Sequence, residues 1–254
     1  MHSFWIYPTL FFTGLAAGFV DSIAGGGGLI TLPVLLGLGL PPADALGTNK
    51  LQACFGSGSA TFHYSRAGLI QWSDCRDGIL FTALGSTIGT VLVQGVSPAY
   101  LNRAIPILLI GIALYLLLRP SIGAAATTPR MSLFSFNLLM GLGIGFYDGF
   151  FGPGTGSFWA MAYVLLLGLD LTRATSHTKV MNFTSNIASL VVFLVSNHYI
   201  LVAGIVMGLG QLFGARLGAR SVIKGGGRLI RPIFITIVIL ISIKLLWRSF
   251  RGSI

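Results

Sequence analysis

The stretch Gly18-Phe-Val-Asp21-Ser-Ile-Ala-Gly25-Gly-Gly-Gly28 places an aspartate and four consecutive glycines inside a strongly apolar region. A second stretch, Gly145-Phe-Tyr-Asp148-Gly-Phe-Phe-Gly152-Pro-Gly-Thr-Gly156, repeats this arrangement 127 residues later, about half of the 254-residue chain. A charge and a break in a helix are both unfavourable in hydrocarbon. Two matched breaks, one in each half of a membrane protein, are typical of a transport site.

The composition indicates an all-α polytopic membrane protein. Hydrophobic residues make up 54% of the chain and charged residues only 9%, whereas a soluble domain carries about 25% charged residues. The net charge of +10 does not indicate nucleic-acid binding, because the basic residues lie at the ends of apolar segments, where they act as topology signals. The expected partner is therefore the lipid bilayer. Cys54 and Cys75 match no metal spacing, and we expect neither a metal nor a cofactor.

Each half of the chain contains five apolar segments, which predict two homologous transmembrane repeats. The first-half segments cover residues 4–20 (A), 29–40 (B), 45–63 (C), 78–96 (D) and 103–118 (E). The second-half segments cover residues 133–147 (A′), 157–169 (B′), 174–195 (C′), 200–217 (D′) and 230–247 (E′). The predicted units are the N-terminal repeat 1–120, a linker 121–130 and the C-terminal repeat 131–254. Lys50 matches Lys179, and Thr48-Asn49 becomes His177-Thr178.

Segments B and B′ are short for membrane spans. About 20 apolar residues are needed to cross about 30 Å of hydrocarbon. The two segments are half-helices, re-entrant elements or tilted spans that borrow residues from their neighbours, and the sequence leaves these alternatives open.

The basic residues predict that the two halves face opposite ways across the membrane. The loop between C and D holds Arg66 and Arg76, whereas the matching loop 196–199 holds neither Arg nor Lys. The D–E loop holds only Arg103, whereas its partner after D′ is strongly basic. By the positive-inside rule this opposite bias predicts inverted repeats of five spans each, with the N-terminus outside.

One set of basic residues disagrees with that topology. Lys244, Arg248 and Arg251 would lie outside the cell. An eight-span alternative, in which B and B′ are re-entrant, places both halves the same way up and explains the C–D and D–E loops less well.

Each glycine loop precedes the start of a helix, and this arrangement favours an anion. The first backbone N–H groups of a helix lack partners within it, and the helix dipole adds a partial positive charge. We therefore predict that substrate is bound by the two loops. Their residues are Gly25, Gly26, Gly27 and Gly28, with Gly152, Gly154, Thr155 and Gly156. The alternative is a pair of tight interhelical turns without a ligand.

Polar residues open segments C and C′ and complete the predicted substrate site. They are Thr48, Asn49, Lys50 and Gln52 in the first half, and His177, Thr178, Lys179 and Asn182 in the second. The lysines would supply charge for the anion, or else would snorkel to the interface. Asp21 and Asp148 have three open roles, which are capping backbone N–H groups, pairing with the lysines and carrying coupling protons.

Four motifs resemble the sulfite exporter TauE/SafE family, and most closely its YfcA-like branch of probable membrane transporters. They are Asp21-Ser-Ile-Ala-Gly-Gly-Gly-Gly-Leu-Ile-Thr-Leu-Pro33, Leu46-Gly-Thr-Asn-Lys-Leu-Gln-Ala-Cys54, Gly145-Phe-Tyr-Asp-Gly-Phe-Phe-Gly-Pro153 and Gln211-Leu-Phe-Gly-Ala-Arg-Leu-Gly-Ala219. The resemblance implies a multi-pass transporter of the cell inner (plasma) membrane. It also implies a substrate such as sulfite, a sulfonate or another sulfur-containing organic anion.

The sequence thus predicts a secondary transporter that moves a small sulfur-containing or other organic anion by alternating access around a midplane site, with a proton or sodium ion as the coupling partner. An anion channel is the first alternative. A scaffold or assembly subunit would not need the duplicated polar loops. An intramembrane enzyme using Asp21 and Asp148 is disfavoured, because neither GxGD nor HExxH accompanies them; we expect no catalytic residues.

Overall fold

A computed structural model describes residues 5–118 and 128–225, which are helical throughout apart from their connections. The first half forms α1 (Ile6–Ala24), α2 (Gly27–Gly37), α3 (Pro42–Arg66), α4 (Trp72–Gln94) and α5 (Pro98–Leu118). The second half forms α6 (Leu133–Phe150), α7 (Thr155–Leu167), α8 (Leu171–Val195) and α9 (Leu201–Gly225). These helices correspond to predicted segments A to E and A′ to D′.

The end of D′ was predicted too early. Helix α9 continues to Gly225 and so includes Arg220 and Lys224, which lie beyond the predicted end of D′ at residue 217. Basic side chains near a helix C-terminus interact favourably with its dipole, so charge there does not end the helix. Segment E′, linker residues 121–127 and the remaining C-terminal basic residues lie outside the described part of the chain. Those basic residues are Arg228, Arg231, Lys244, Arg248 and Arg251.

Among the described residues, five helices are long and apolar enough to cross a membrane, namely α1, α4, α6, α8 and α9. Large apolar side chains on their outer faces, such as Phe12, Leu84 and Phe213, are exposed as lipid contact requires. Helix α2 has 11 residues and α7 has 13, and at 1.5 Å per residue these lengths are about 17 and 20 Å. Neither short helix crosses the hydrocarbon core alone.

Close contacts at glycines show that α1, α3 and α9 run in the same direction. A Cβ added to Gly14 would overlap the backbone of Met207, and one added to Gly18 would overlap Gln211. Residues further along α1 contact residues further along α9, so the two helices are parallel. Helix α3 also runs parallel to α9, because Phe55 lies against Gly208 and Ser59 Oγ donates to the Leu212 carbonyl at 3.1 Å.

Helices α4, α6 and α8 run in the opposite direction. Gly145 lies against Thr82 and Gly149 against Ser86, so α6 is parallel to α4. Ser86 Oγ donates to the Ser185 carbonyl at 2.9 Å, and Thr90 Oγ1 donates to Ser189 Oγ at 2.9 Å, so α8 is parallel to α4 as well.

The two sets are antiparallel to one another. Gly47, early in α3, faces Phe193, late in α8, whereas Gly58 faces Phe183. The matched helices α1 and α6, α3 and α8, and α4 and α9 consequently point in opposite directions. The two halves also pack against each other through these helices. Helix α1 of the first half packs against α9 of the second, and α6 of the second half packs against α4 of the first.

The glycines at these crossings generate the first prediction. Replacing Gly14 by Val should destabilise the protein, because the new side chain would overlap the Met207 backbone and overpacking typically costs about 1–3 kcal/mol. Gly143→Val is the matched control on α6, where no atom lies within 4 Å of the added Cβ. Thermal unfolding of the purified proteins should show a lower Tm for the Gly14 variant than for the control. Equal Tm values would contradict the close crossing.

Candidate functional site

The two glycine loops meet backbone to backbone. A Cβ added to Gly25 would overlap the backbone of Gly156, and one added to Gly28 would lie 3.2 Å from Pro153 Cα. Gly25 also has φ of 73°, a left-handed conformation that a side chain disfavours. No larger residue therefore fits Gly25 without moving the loops apart.

The short helices begin at this contact. Helix α2 starts at Gly27 and α7 at Thr155, so the N-terminal turns of both face the region where the loops meet. The Gly27 N–H donates to Asp21 Oδ1 at 3.2 Å, and Ser157 Oγ of α7 donates to the Ala24 carbonyl at the end of α1 at 2.7 Å. The second bond ties the loop of one half to the short helix of the other.

Two ion pairs with buried lysines join the halves around these loops. Lys50 Nζ lies 2.7 Å from Asp148 Oδ1, and Lys179 Nζ lies 3.2 Å from Asp21 Oδ2. In each pair the lysine comes from the polar start of a long helix and the aspartate precedes the glycine loop of the other half. The lysine side chains are 2% and 0% exposed, which excludes snorkelling. Of the roles considered for Asp21, capping and pairing are both observed.

Further hydrogen bonds satisfy the two carboxylates. Asp148 Oδ1 accepts from the Thr155 hydroxyl at 3.2 Å, and Asp148 Oδ2 accepts from the Ser185 hydroxyl. Lys179 also donates to the main-chain oxygen of Asp21. Each lysine charge is thus balanced by an adjacent carboxylate, and burial of the charges is stabilised by pairing.

A polar cavity of about 30 Å³ lies between the loops. The predicted residues that line it are Gly25, Gly27, Gly28, Asn49, Gly152, Gly154, Thr155, Gly156 and Asn182, with both Asp21 and Asp148. The glycines have no side chains, so their backbone forms this part of the wall. The volume holds water-sized groups; a sulfite or sulfonate group requires the loops to move apart.

Three further lining residues, Ala53, Asn186 and Gln211, were absent from the predicted site. Ala53 and Asn186 lie one helical turn after Asn49 and Asn182, and this spacing is the signal that could have found them. The buried Gln211 lies next to Gly210 on α9, a helix whose glycines Gly210 and Gly214 pack against the backbone of α1. The amide oxygens of Asn182 and Gln211 are buried and have no hydrogen-bond partner among the described residues.

Asn49 is held in one orientation by two neighbours. Its Oδ1 accepts from the Thr31 hydroxyl at 2.5 Å and from Gln52 Nε2 at 2.9 Å. Because both neighbours donate to the oxygen, the amide nitrogen is left to the cavity that Asn49 lines. Gln52, predicted to bind substrate, is thereby placed behind Asn49 rather than at the cavity.

The other predicted residues also lie off the cavity wall. Gly26 ends the first loop outside it, and the Thr178 hydroxyl donates to the Ala174 carbonyl within α8 at 2.8 Å. Lys50 and Lys179 are engaged by the aspartates. Lys50 Nζ nevertheless lies 3.3 Å from the position of a Cβ on Gly152, directly behind a lining glycine.

Thr48 and His177 lie at opposite ends of the protein, where they make corresponding contacts. Thr48 Oγ1 accepts from the Ile200 N–H at 2.9 Å, and His177 Nε2 accepts from the Gln71 N–H at 3.3 Å. Each contact joins a long helix of one half to a loop of the other half. Beside Thr48, His198 Nδ1 lies 2.9 Å from Asp44 Oδ1. Both ends of the molecule are thus closed by contacts between the halves.

The basic side chains collect at the His177 end. The parallel directions of α3 and α9 bring their C-terminal ends to the same side, together with the start of α4. Arg66, Arg76, Arg216, Arg220 and Lys224 are exposed there.

The crossed ion pairs generate the second prediction. Lys50→Met leaves Asp148 buried without its cation, and loss of one partner of a buried pair costs about 3–5 kcal/mol. Adding Asp148→Asn should recover part of that loss, because the remaining group is uncharged. A double-mutant cycle in thermal or denaturant unfolding measures the coupling between the two residues. Additive effects of the two substitutions would show that the pair does not act as a unit.

The comparisons with known proteins concern nearly the whole chain. The profile of the family described as "Sulfite exporter TauE/SafE" matches residues 10–245. The "Probable membrane transporter protein YfcA" of Escherichia coli K12 is 48% identical over 240 residues, which are 94% of this chain and 89% of the relative.

More distant relatives carry similar descriptions. A "Probable membrane transporter protein" of Haemophilus influenzae is 44% identical over 94% of this chain and 93% of its own. The Bacillus subtilis "Probable membrane transporter protein YunE" is 26% identical over 93% of this chain and 96% of its own. No solved structure matches the chain.

Proposed function

Because the chain belongs to the sulfite exporter TauE/SafE family, we propose that it is a secondary transporter which moves a small sulfur-containing or other organic anion across the cell inner membrane. The chain is a multi-pass membrane transporter of this family, and the family's descriptions indicate transport rather than enzymatic activity. The observation that carries the proposal is the cavity between the two glycine loops. It combines two helix N-termini with the side-chain nitrogen of Asn49, which the hydrogen bonds to Asn49 Oδ1 leave available to the cavity.

The anion is bound mainly by neutral donors. Interaction with a helix N-terminus is worth about 0.3–1 kcal/mol, and up to about 2 kcal/mol when partly buried. Helices α2 and α7 both supply such a terminus. The nitrogen of Asn49 adds a side-chain donor, and the backbone of the lining glycines allows close approach.

The ion pairs link anion binding to protonation. While Asp148 is ionised it neutralises Lys50, which lies directly behind Gly152. Protonation of Asp148 leaves the lysine charge unbalanced next to the cavity and strengthens anion binding. By linkage, the bound anion favours protonation by the same free energy. The same argument applies to Asp21 and Lys179. A proton is therefore the coupling ion that this geometry favours, with sodium as the alternative.

Alternating access follows from the arrangement of the two halves. The opposed directions of matched helices support inverted repeats. Both ends are closed by contacts between halves, at Thr48 and at His177. Rocking of the halves would break one of these contacts at a time and widen the cavity.

The membrane potential sets the direction of uncoupled flux. An inside-negative potential favours export of an anion by about 2.3 kcal/mol per charge per 100 mV. Uptake of the same anion would require the coupled proton or sodium ion. An anion channel is the alternative function, and saturable flux that responds to a counter-ion distinguishes the transporter from it.

The third prediction tests the site through ligand-induced stabilisation. Sulfite, thiosulfate, sulfonates and carboxylates are screened by thermal shift, because a ligand present at about 100 times its Kd stabilises the fold by about 2.7 kcal/mol. Asn49→Ala should weaken binding of the ligand that is found, and Thr31→Val should weaken it too, because Asn49 loses one of its orienting bonds.

The control for this prediction is Thr61→Val, because the buried Thr61 hydroxyl has no hydrogen-bond partner within residues 5–118 and 128–225 and does not line the cavity. In an Asn49→Ala background, Thr31→Val should have no further effect on the Kd. If none of the anions stabilises the wild type, the proposed function is wrong. Equal Kd values for Thr31→Val and Thr61→Val would instead refute only the orienting role.

The fourth prediction concerns the charge behind Gly152. Asp148→Asn imitates the protonated carboxyl and should bind the anion about ten-fold more tightly at neutral pH, a change equivalent to about 1.36 kcal/mol. The variant should also lack the increase in affinity on acidification that we expect of the wild type. Calorimetric titration at two pH values measures both effects. Unchanged affinity and unchanged pH dependence would remove Asp148 from the coupling mechanism.

A further inference from the structure

We propose that the face of α7 that carries Trp159 and Tyr163 is a second anion-binding stretch, along which a hydrated oxyanion passes between the central cavity and the basic end of the protein. This inference rests on the proposed transport function and assigns a route to one side of the site. Trp159 and Tyr163 belong to no part of the central cavity.

The stretch begins at the cavity and continues along one helix face. Thr155 lines the cavity, and Trp159 and Tyr163 follow at intervals of four residues, so all three lie on the same side of α7. The indole and phenol rings stack with their centroids 5.6 Å apart. Phe136 of α6 packs against Tyr163 with centroids 4.9 Å apart, and His177 of α8 lies 5.7 Å from it. The stretch therefore occupies the groove between α6 and α8.

Beyond Thr155, the side-chain polar atoms of Trp159 and Tyr163 on this face lack hydrogen-bond partners in the part of the chain that the structure describes. Trp159 Nε1 and Tyr163 OH are both buried without a hydrogen bond among the described residues, and so is Asn137 Oδ1 on α6. Trp159 is 0% exposed and Tyr163 is 2% exposed. Buried polar groups in native proteins are nearly always paired, so such atoms need a partner in some state of the molecule. Indole N–H and phenol O–H groups are donors, which suits an oxyanion and its water.

Packing alone does not require these polar atoms. When the two halves are aligned on Asp21 and Asp148, Leu32 of α2 corresponds to Trp159 and Leu36 corresponds to Tyr163. Leucine thus fills both corresponding positions in the first half, and Leu32 is fully buried there. The aromatic donors are specific to the second half.

The stretch ends at a closed contact next to the basic residues. His177, which faces the Tyr163 ring, accepts from the Gln71 N–H and so joins the α3–α4 loop to α8. Arg66 and Arg76 are exposed at the same end and attract anions to it. Separation of Gln71 from His177 would open the stretch to that side of the membrane. In the present structure it is closed.

Cysteine labelling tests the route without assuming a particular transported anion. Tyr163→Cys is introduced into a Cys54→Ser, Cys75→Ser background and treated with an anionic methanethiosulfonate from each side of sealed vesicles. Val164→Cys is the matched control, since Val164 is the next residue of α7 and is 7% exposed. Because thiol reactivity follows access, Tyr163→Cys should react about ten-fold faster than the control from the basic side. Equal rates from that side would overturn the route.

A second measurement distinguishes an effect on anion flux from an effect on the stability of the fold. Tyr163→Phe removes an unpaired hydroxyl, so it should maintain or raise the Tm while it lowers the rate of sulfite flux into proteoliposomes by about five-fold, with the Kd at the central site unchanged. Tyr64→Phe is the control, because the Tyr64 hydroxyl donates to the Ser22 carbonyl at 2.8 Å. The control should lower the Tm and preserve flux.

Unchanged flux in Tyr163→Phe would overturn the proposal. Absence of sulfite flux in the wild type would count against sulfite transport, and the labelling rates would still decide the route.

Discussion

Two lysine–aspartate pairs with buried lysines, each formed between the halves, hold the structure's central contact in place. The aspartates stand immediately before the glycine loops, and the lysines stand in the opposite half, so each pair draws one loop toward the other half. Because glycines lie at the contact, the two loops can meet backbone to backbone. Two short helices begin at this point of contact. The cavity, its donors and the balance of charge around it all follow from this arrangement.

The charge balance explains how the proposed anion site can be stable when it is empty. Two unpaired lysines at this depth would be costly. Pairing neutralises them, and the helix termini and amides still offer donors to a guest. The same pairing makes the site responsive, because any event that removes the negative charge of an aspartate releases positive charge beside the cavity. Stability and the proposed coupling therefore depend on the same four side chains.

The sequence predicted this core in part, for reasons visible in particular residues. Apolar segments located the helices, and the matched motifs identified both glycine loops and the residues near them. Periodicity shows which residues share a helix face, but not which helix that face contacts. Thr48 and Lys50 are two residues apart, yet one contacts the α8–α9 loop and the other pairs with Asp148. Gln211 was missed for the same reason, since the crossing of α9 with α1 and α3 brings it to the cavity. The inverted orientation of the repeats and their boundaries stay predictions.

We propose that the two glycine loops together hold one anion. A crystal structure of the purified protein with selenite would show where the anion binds, because selenium in this sulfite analogue can be located by anomalous scattering. We expect a single strong selenium position between Gly27–Gly28 and Gly154–Gly156, within hydrogen-bonding distance of backbone from both halves. Selenium bound at saturating concentration only elsewhere in the protein, with the loops still in contact, would contradict it.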